Sequence, residues 1–78
     1  MKIKITNKIE QKVNEYQKQT GATKKWISDQ MEITPQNLNK TFKSVNMPIE
    51  ILIKYSIVLN CNISDLYEYE VIDKNNIV

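Results

Sequence analysis

The chain has 78 residues, the length of one small domain, and with 41% hydrophobic and 26% charged residues it has the composition of a globular protein. It contains no histidine and a single cysteine, so it lacks both the second thiol of an internal disulfide and the ligands of a zinc site. No apolar run is long enough to cross a membrane, and the first residues alternate lysine with isoleucine instead of forming a secretory signal. We therefore expect a cytoplasmic protein with no membrane partner.

The net charge of +2 is divided unevenly along the chain. Residues 1–46 hold nine lysines and four acidic residues, a net +5, whereas residues 47–78 hold two lysines and five acidic residues, a net −3. A basic half beside an acidic half suits a surface that binds a polyanion and is joined to an interaction module, although a solvated exterior has the same pattern.

Two amphipathic helices are predicted in the first part of the chain. Apolar residues at helical spacing indicate helix one from Thr6 to Gln19 and helix two from about Lys24 to Met31. Gly21, the only glycine, is a natural stop between them, and Thr23 suits the N-cap of the second helix. We expect Trp26 to pack against helix one or a neighbouring element and not to stack on nucleic acid.

Helix three is predicted over residues 34–44, because Thr34 can cap a helix and Pro35 suits its first position. Its apolar anchors are few, Leu38 and Phe42, one turn apart. A helix this polar gains little from packing, so its outward face is expected to serve another purpose. The remaining side chains are amides and ammonium groups: Gln36, Asn37, Asn39, Lys40 and Lys43.

Helix four is predicted from Pro48 to Leu59 and is apolar on nearly every side, interrupted only by Glu50 and Lys54. Such a helix must be covered, and a short chain has little material to cover it. We expect dimerisation through this helix, with burial by the chain's own termini as the alternative. The predicted dimer interface consists of Ile51, Ile53, Tyr55, Ile57 and Val58.

The last part of the chain changes period. Asn62 and Asp65 resemble a capping box for a short fifth helix over residues 63–67. Residues 2–5 and 67–71 both alternate with period two and could pair as strands, within one chain or between two. Residues 73–78 are predicted to be a flexible tail after a single domain at 1–72.

The segment from Gly21 to Tyr67 resembles the Cro/phage-repressor type of helix-turn-helix domain. Its helix-turn-helix portion is residues 23–43, TKKWISDQMEITPQNLNKTFK, and residues 49–67, IEILIKYSIVLNCNISDLY, look like the family's fourth and fifth helices. The resemblance implies an all-α fold of five helices. A small two-stranded sheet formed by the N- and C-terminal segments is left open as an addition to this fold. Apolar residues stand where the family locks its two helices together: Ile27, Met31, Ile33 and Leu38.

The sequence departs from the family pattern at three positions. Ser28 stands where alanine is usual, Glu32 where the turn usually has glycine, and Thr41 where an apolar residue is common. Glu32 is the most costly of the three, because a left-handed backbone costs a residue with a Cβ about 1 kcal/mol.

The resemblance implies a sequence-specific transcriptional regulator, a repressor, that binds double-stranded DNA as a homodimer and lays helix three in the major groove. Gln36 and Lys40 would face base edges, and Asn37 and Asn39 would contact bases or phosphates. The residues expected at phosphates are Lys24, Lys25, Thr34 and Lys43.

The chemistry of the side chains is consistent with this role. Asparagine and glutamine can pair bidentately with adenine, and every basic residue is lysine, so the arginine fork that most often reads guanine is missing. We therefore expect an A·T-rich operator. No catalytic constellation or cofactor motif is present in the sequence, so we expect no enzyme; the alternative is a module that binds another protein, such as an antirepressor or a toxin.

Overall fold

A computed structural model of the chain describes residues 1–72; the predicted tail at 73–78 lies outside the described residues. A short 3₁₀ turn, Ile63–Asp65, precedes the last strand. None of the helices in the described part of the chain has the length and apolar character needed to span a bilayer. The regular elements are β1 (Ile3–Asn7), α1 (Ile9–Thr20), α2 (Lys24–Gln30), α3 (Pro35–Thr41), α4 (Ile49–Leu59) and β2 (Tyr67–Val71).

The prediction of an all-α fold with five helices is wrong. Over residues 1–72 the chain has four α-helices and a two-stranded antiparallel sheet. The Asp65 carboxylate does accept a hydrogen bond from the Asn62 N–H at 3.0 Å, as a capping box requires, but only one 3₁₀ turn follows. Tyr67, the predicted last residue of that helix, already pairs with Asn7 in the sheet, so no residues remain for a further turn.

The predicted pairing of the terminal segments is confirmed, and it forms within one chain. Ile3 lies opposite Val71 and Ile5 opposite Tyr69, so these four side chains share one face of the sheet. Lys4 lies opposite Glu70 on the other face, as the alternation of charges indicates.

The core lies where the four helices meet the end of the sheet. Each α-helix contributes to it, and Leu66, just before β2, joins it. This burial supplies the main free energy of folding, because the individual helices are too short to be stable alone. The buried hydrophobic side chains are Ile9, Val13, Ile27, Met31, Leu38, Phe42, Tyr55, Leu59 and Leu66.

The turn between α2 and α3 contains a strained residue. Glu32 has a φ of 58°, in the left-handed region where the sequence departs from the family's glycine. The turn still closes, because the Ile33 N–H donates to the Ser28 carbonyl at 3.0 Å and the Glu32 N–H donates to the Asp29 carbonyl at 3.1 Å. The strain of Glu32 is thus tolerated by an otherwise hydrogen-bonded turn.

Replacing Glu32 with glycine tests this strain. We expect Glu32→Gly to raise the free energy of unfolding by at most about 1 kcal/mol, because glycine adopts a positive φ freely. The gain is reduced because glycine also increases the conformational entropy of the unfolded chain. The same exchange in α1, Glu10→Gly, should lower it by roughly 0.5–1 kcal/mol. Urea denaturation measures both, and equal destabilisation by the two variants would contradict a left-handed Glu32.

Candidate nucleic-acid interface

The outward face of α3 is polar and exposed. Leu38 is fully buried and Phe42 nearly so, and they attach one side of the helix to the core. At 100° per residue, Gln36 and Lys40 lie on the side of the helix opposite Leu38, and Asn37 and Asn39 lie on its two flanks. All four of these polar residues are exposed.

The polar side chains of this face are not engaged elsewhere in the fold. Within residues 1–72, the side chains of Gln36, Asn39, Lys40 and Lys43 make no hydrogen bond or ion pair with the protein. Asn37 and Lys40 border a shallow groove between α3 and the start of α4, which Pro48 and Ile51 also line. The face therefore presents free amide donors and acceptors beside free ammonium groups, the chemistry that reads base edges and phosphates.

The residues predicted to contact phosphates lie at the start of α2 and at both ends of α3. Lys24 Nζ lies 5.4 Å from the centroid of the Phe42 ring, so this lysine bridges the two helices through a cation–π contact. Lys25 pairs with Asp29 at 3.2 Å on the exposed side of α2. Thr34 Oγ1 accepts a hydrogen bond from the Asn37 N–H at 3.1 Å, and its own hydroxyl hydrogen can still donate. Lys43 is exposed just beyond the end of α3.

The end of α3 is held by Asn7, the last residue of β1. Asn7 Nδ2 donates to the carbonyl oxygens of Thr41 and Ser44, both at 2.7 Å. Its Oδ1 accepts from the Ile9 N–H at 2.8 Å and so satisfies the first free N–H of α1. One side chain therefore joins the sheet, the first helix and the C-terminal end of α3, and α3 ends at Thr41, short of the predicted residue 44.

Thr41 and Ser28, two of the departures from the family pattern, are satisfied by hydrogen bonds. Thr41 Oγ1 bonds to the Leu38 carbonyl and to the hydroxyl of Tyr55, which is fully buried in α4. Ser28, also fully buried, donates to the Lys25 carbonyl at 2.8 Å. Polar groups at these positions cost little when they are bonded in this way.

Asn7 and Tyr55 act on α3 in ways that the sequence analysis missed. An asparagine just before an amphipathic helix is an N-cap signal, and the predicted start of helix one at Thr6 passed over it. Its contacts with Thr41 and Ser44 join residues far apart in the chain, and no local pattern indicates them.

The residues predicted for a dimer interface divide between two environments. Tyr55 is fully buried in the chain's own core, and Ile51 and Val58 are half-buried against it. Ile53 and Ile57 are exposed. The structure thus brings only part of the predicted set to the surface of α4.

Trp26 packs on α1. Its ring stacks on that of Tyr16 with centroids 6.4 Å apart and an interplanar angle of 16°, as expected of a packing residue. Part of the indole remains exposed, which makes this single tryptophan a fluorescent reporter on α2.

Removing the Tyr55 hydroxyl tests the attachment of α3 to α4. We expect Tyr55→Phe to lower the free energy of unfolding by about 1 kcal/mol, the net value of one hydrogen bond, whereas Tyr69→Phe in the exposed face of the sheet should change it little. Urea denaturation followed by Trp26 fluorescence measures both. If Tyr69→Phe cost as much as Tyr55→Phe, the hydrogen bond to Thr41 would not explain the loss.

The same variant has a predictable pH dependence. Burial raises the pKa of Tyr55, and the hydrogen bond between Tyr55 and Thr41 lowers it in part. The folded state therefore holds the Tyr55 proton more tightly than the unfolded state does. The resulting contribution to the free energy of unfolding is complete below the ordinary tyrosine pKa of about 10 and is lost as the pH rises through the pKa of the folded state. Wild type should lose stability above about pH 10 more steeply than Tyr55→Phe. Parallel curves would contradict the raised pKa.

Comparison with known proteins places this arrangement in a family. The family model for the Cro/C1-type HTH DNA-binding domain matches residues 7–71, from the last residue of β1 to the last residue of β2. Searches of curated proteins and of solved structures found no significant match. With its α2–turn–α3 unit and the exposed polar face of α3, the chain belongs to the Cro/C1-type helix-turn-helix DNA-binding domains.

Proposed function

We propose that this DNA-binding domain is a sequence-specific transcriptional regulator, a repressor, that inserts α3 into the major groove and acts as a homodimer in the cytoplasm. The observation that carries the proposal is the exposed, unengaged polar face of α3 on a helix anchored by Leu38 and Phe42. A helix at the surface with this chemistry has the form of a recognition helix.

We assign recognition of the DNA bases to the residues of α3 that project furthest from the core. Gln36 can donate to and accept from adenine N7 and N6, and Lys40 one turn later can donate to guanine or to a thymine O4. Asn37 and Asn39 flank them and reach the adjacent bases or the phosphates on either side.

Phosphate binding is assigned to Lys24, Lys25, Thr34 and Lys43, which surround the reading face. Lys24 rests on the Phe42 ring, so its ammonium is held close to α3 while remaining exposed. The Lys25–Asp29 pair is exposed on both sides, and such a pair is weak enough to exchange for a phosphate. Each phosphate neutralised should contribute about −0.9 to the slope of log K against log salt.

A repressor has to exclude other proteins from its site, and two copies bound to two half-sites do so more effectively than one. A homodimer would place its half-sites about 34 Å apart, one turn of the duplex. Repression follows from occupancy alone and requires no surface besides those that bind DNA and the second copy, so we propose this mode over activation.

Alanine substitution on α3 tests the function. Gln36→Ala combined with Lys40→Ala should reduce affinity for a selected duplex by at least about tenfold, because each good base contact contributes about 1–3 kcal/mol. Lys43→Ala should weaken binding to all duplexes and reduce the salt slope by about 0.9. Lys18→Ala, on the exposed side of α1, is the matched control. Mobility shifts and salt titrations measure these effects.

A protein-interaction module of the same fold would behave differently. It would show no duplex affinity even in dilute salt, and the α3 substitutions would change nothing. That result would overturn the proposal.

The operator composition is tested by selection from a random duplex pool. Because the chain reads bases with amides and lysines and has no arginine, we expect enrichment of A·T-rich sites. The selected sites should contain two related half-sites. Strong enrichment of G·C-rich sites would contradict the assignment of Gln36 and the asparagines to adenine.

A further inference from the structure

The outward face of α4 carries three exposed isoleucines in a line. Ile49, Ile53 and Ile57 are separated by four residues each and are 62%, 42% and 72% exposed. They lie on the side of the helix opposite Tyr55 and Leu59, which face the core. We call these three residues the α4 stripe.

The stripe is costly to leave in water. Full burial of one isoleucine side chain contributes about 1.5–3 kcal/mol of free energy. Here three isoleucines are neighbours at i, i+4 spacing on one helix face. Single exposed apolar side chains are ordinary, but a contiguous row of them marks an interaction surface.

Charges border the stripe on one side only. Glu50 and Lys54 lie on one flank and form an ion pair at 3.6 Å. Leu52 and Ser56 lie on the opposite flank and carry no charge. The stripe is therefore asymmetric from side to side, and Glu50 precedes Lys54 along the helix.

This order of charges is complementary to itself under a two-fold axis. When two copies of α4 pack antiparallel, the charged flank of one lies beside the charged flank of the other. Because the two helices run in opposite directions, Glu50 lies near Lys54 of the partner subunit, and Lys54 lies near Glu50 of the partner subunit. When they pack parallel, the charged flank lies beside Leu52 and Ser56 of the partner subunit, where neither charge finds an opposite charge.

The terminal sheet offers a less suitable surface for a second copy. The lysines of the sheet, Lys2 and Lys4, belong to the β1 end of the chain, and its glutamates, Glu68 and Glu70, to β2. Symmetric pairing of β1 with β1 would set lysines near lysines, and pairing of β2 with β2 would set glutamates near glutamates. The charges thus favour α4 over the sheet edges.

We infer that the α4 stripe is a homodimer interface in which two copies of α4 pack antiparallel about a two-fold axis near Ile53, with reciprocal Glu50–Lys54 pairs between subunits. This inference rests on the dimer of the proposed function and specifies its surface and orientation. It adds Ile49 to the predicted interface and leaves Tyr55, Ile51 and Val58 to the chain's own core.

Charge reversal tests the partner and its orientation together. Glu50→Lys alone opposes lysines across the axis, and Lys54→Glu alone opposes glutamates, so each variant should dimerise more weakly than wild type. Mixed, they should form a heterodimer roughly tenfold tighter than either homodimer at low salt, because both intersubunit pairs change from repulsive to attractive. Native mass spectrometry or sedimentation of the mixture measures this preference.

The control uses an ion pair of the same spacing on another helix. Lys25→Glu and Asp29→Lys alter the i, i+4 pair of α2, at 3.2 Å, and mixing them should give a statistical distribution of dimers. A statistical distribution for the α4 variants as well would overturn the antiparallel arrangement.

A second variant tests the stripe itself. Ile53→Asp places two carboxylates at the axis and should shift the protein from twice 9.2 kDa to 9.2 kDa in sedimentation at micromolar concentration. Val45→Asp, at an exposed apolar residue outside the stripe, should remain dimeric. A wild-type protein that sediments only as a 9.2 kDa species, or an Ile53→Asp dimer, would overturn the inference.

These outcomes are separate from those of DNA binding. If the wild-type protein shifts a selected duplex but the mixed α4 variants show no heterodimer preference, the α4 interface is contradicted and the DNA-binding function is supported. Preferential heterodimers without affinity for any duplex give the reverse result.

Discussion

The attachment of α3 is the constraint on which the rest of the structure depends. A helix of seven residues, with Leu38 as its apolar anchor and Phe42 at its C-cap, is far below the length at which isolated helices are stable. It exists because Leu38 and Phe42 reach the core, Thr34 caps its start, and Asn7 and Tyr55 hold its end through Thr41. The same arrangement leaves its polar side free.

The terminal sheet is part of this attachment. Asn7 closes β1 and donates to the end of α3, so the position of that helix depends on strand pairing between the two ends of the chain. The family match begins at residue 7, so it includes this asparagine and leaves the rest of β1 outside the matched range. The pairing of β1 with β2 thus contributes to the position of α3, the helix proposed to read DNA.

Local patterns predicted what local physics determines. The caps at Thr23 and Thr34, the stop at Gly21 and the period-two ends are each encoded within a few residues, and the structure has them. The prediction of a fifth helix was wrong because Tyr67 pairs with Asn7 in the sheet, and this pairing limits the structure after the capping box to a short turn. The pairing involves residues from opposite ends of the chain, which a local pattern does not indicate. The contacts of Asn7 with α3 were beyond prediction for the same reason.

Helix α4 shows why an apolar sequence alone does not assign an interface. Its pattern is apolar on nearly every side, and only the packing of the other helices separates Tyr55, which faces the core, from Ile53, which faces outward. This separation has a mechanical consequence. The inner side of α4 holds α3 through the Tyr55–Thr41 hydrogen bond, and its outer side carries the stripe, so one rigid helix would connect a second copy to the proposed recognition helix. Contact between two copies would then orient both reading faces through a single layer of side chains.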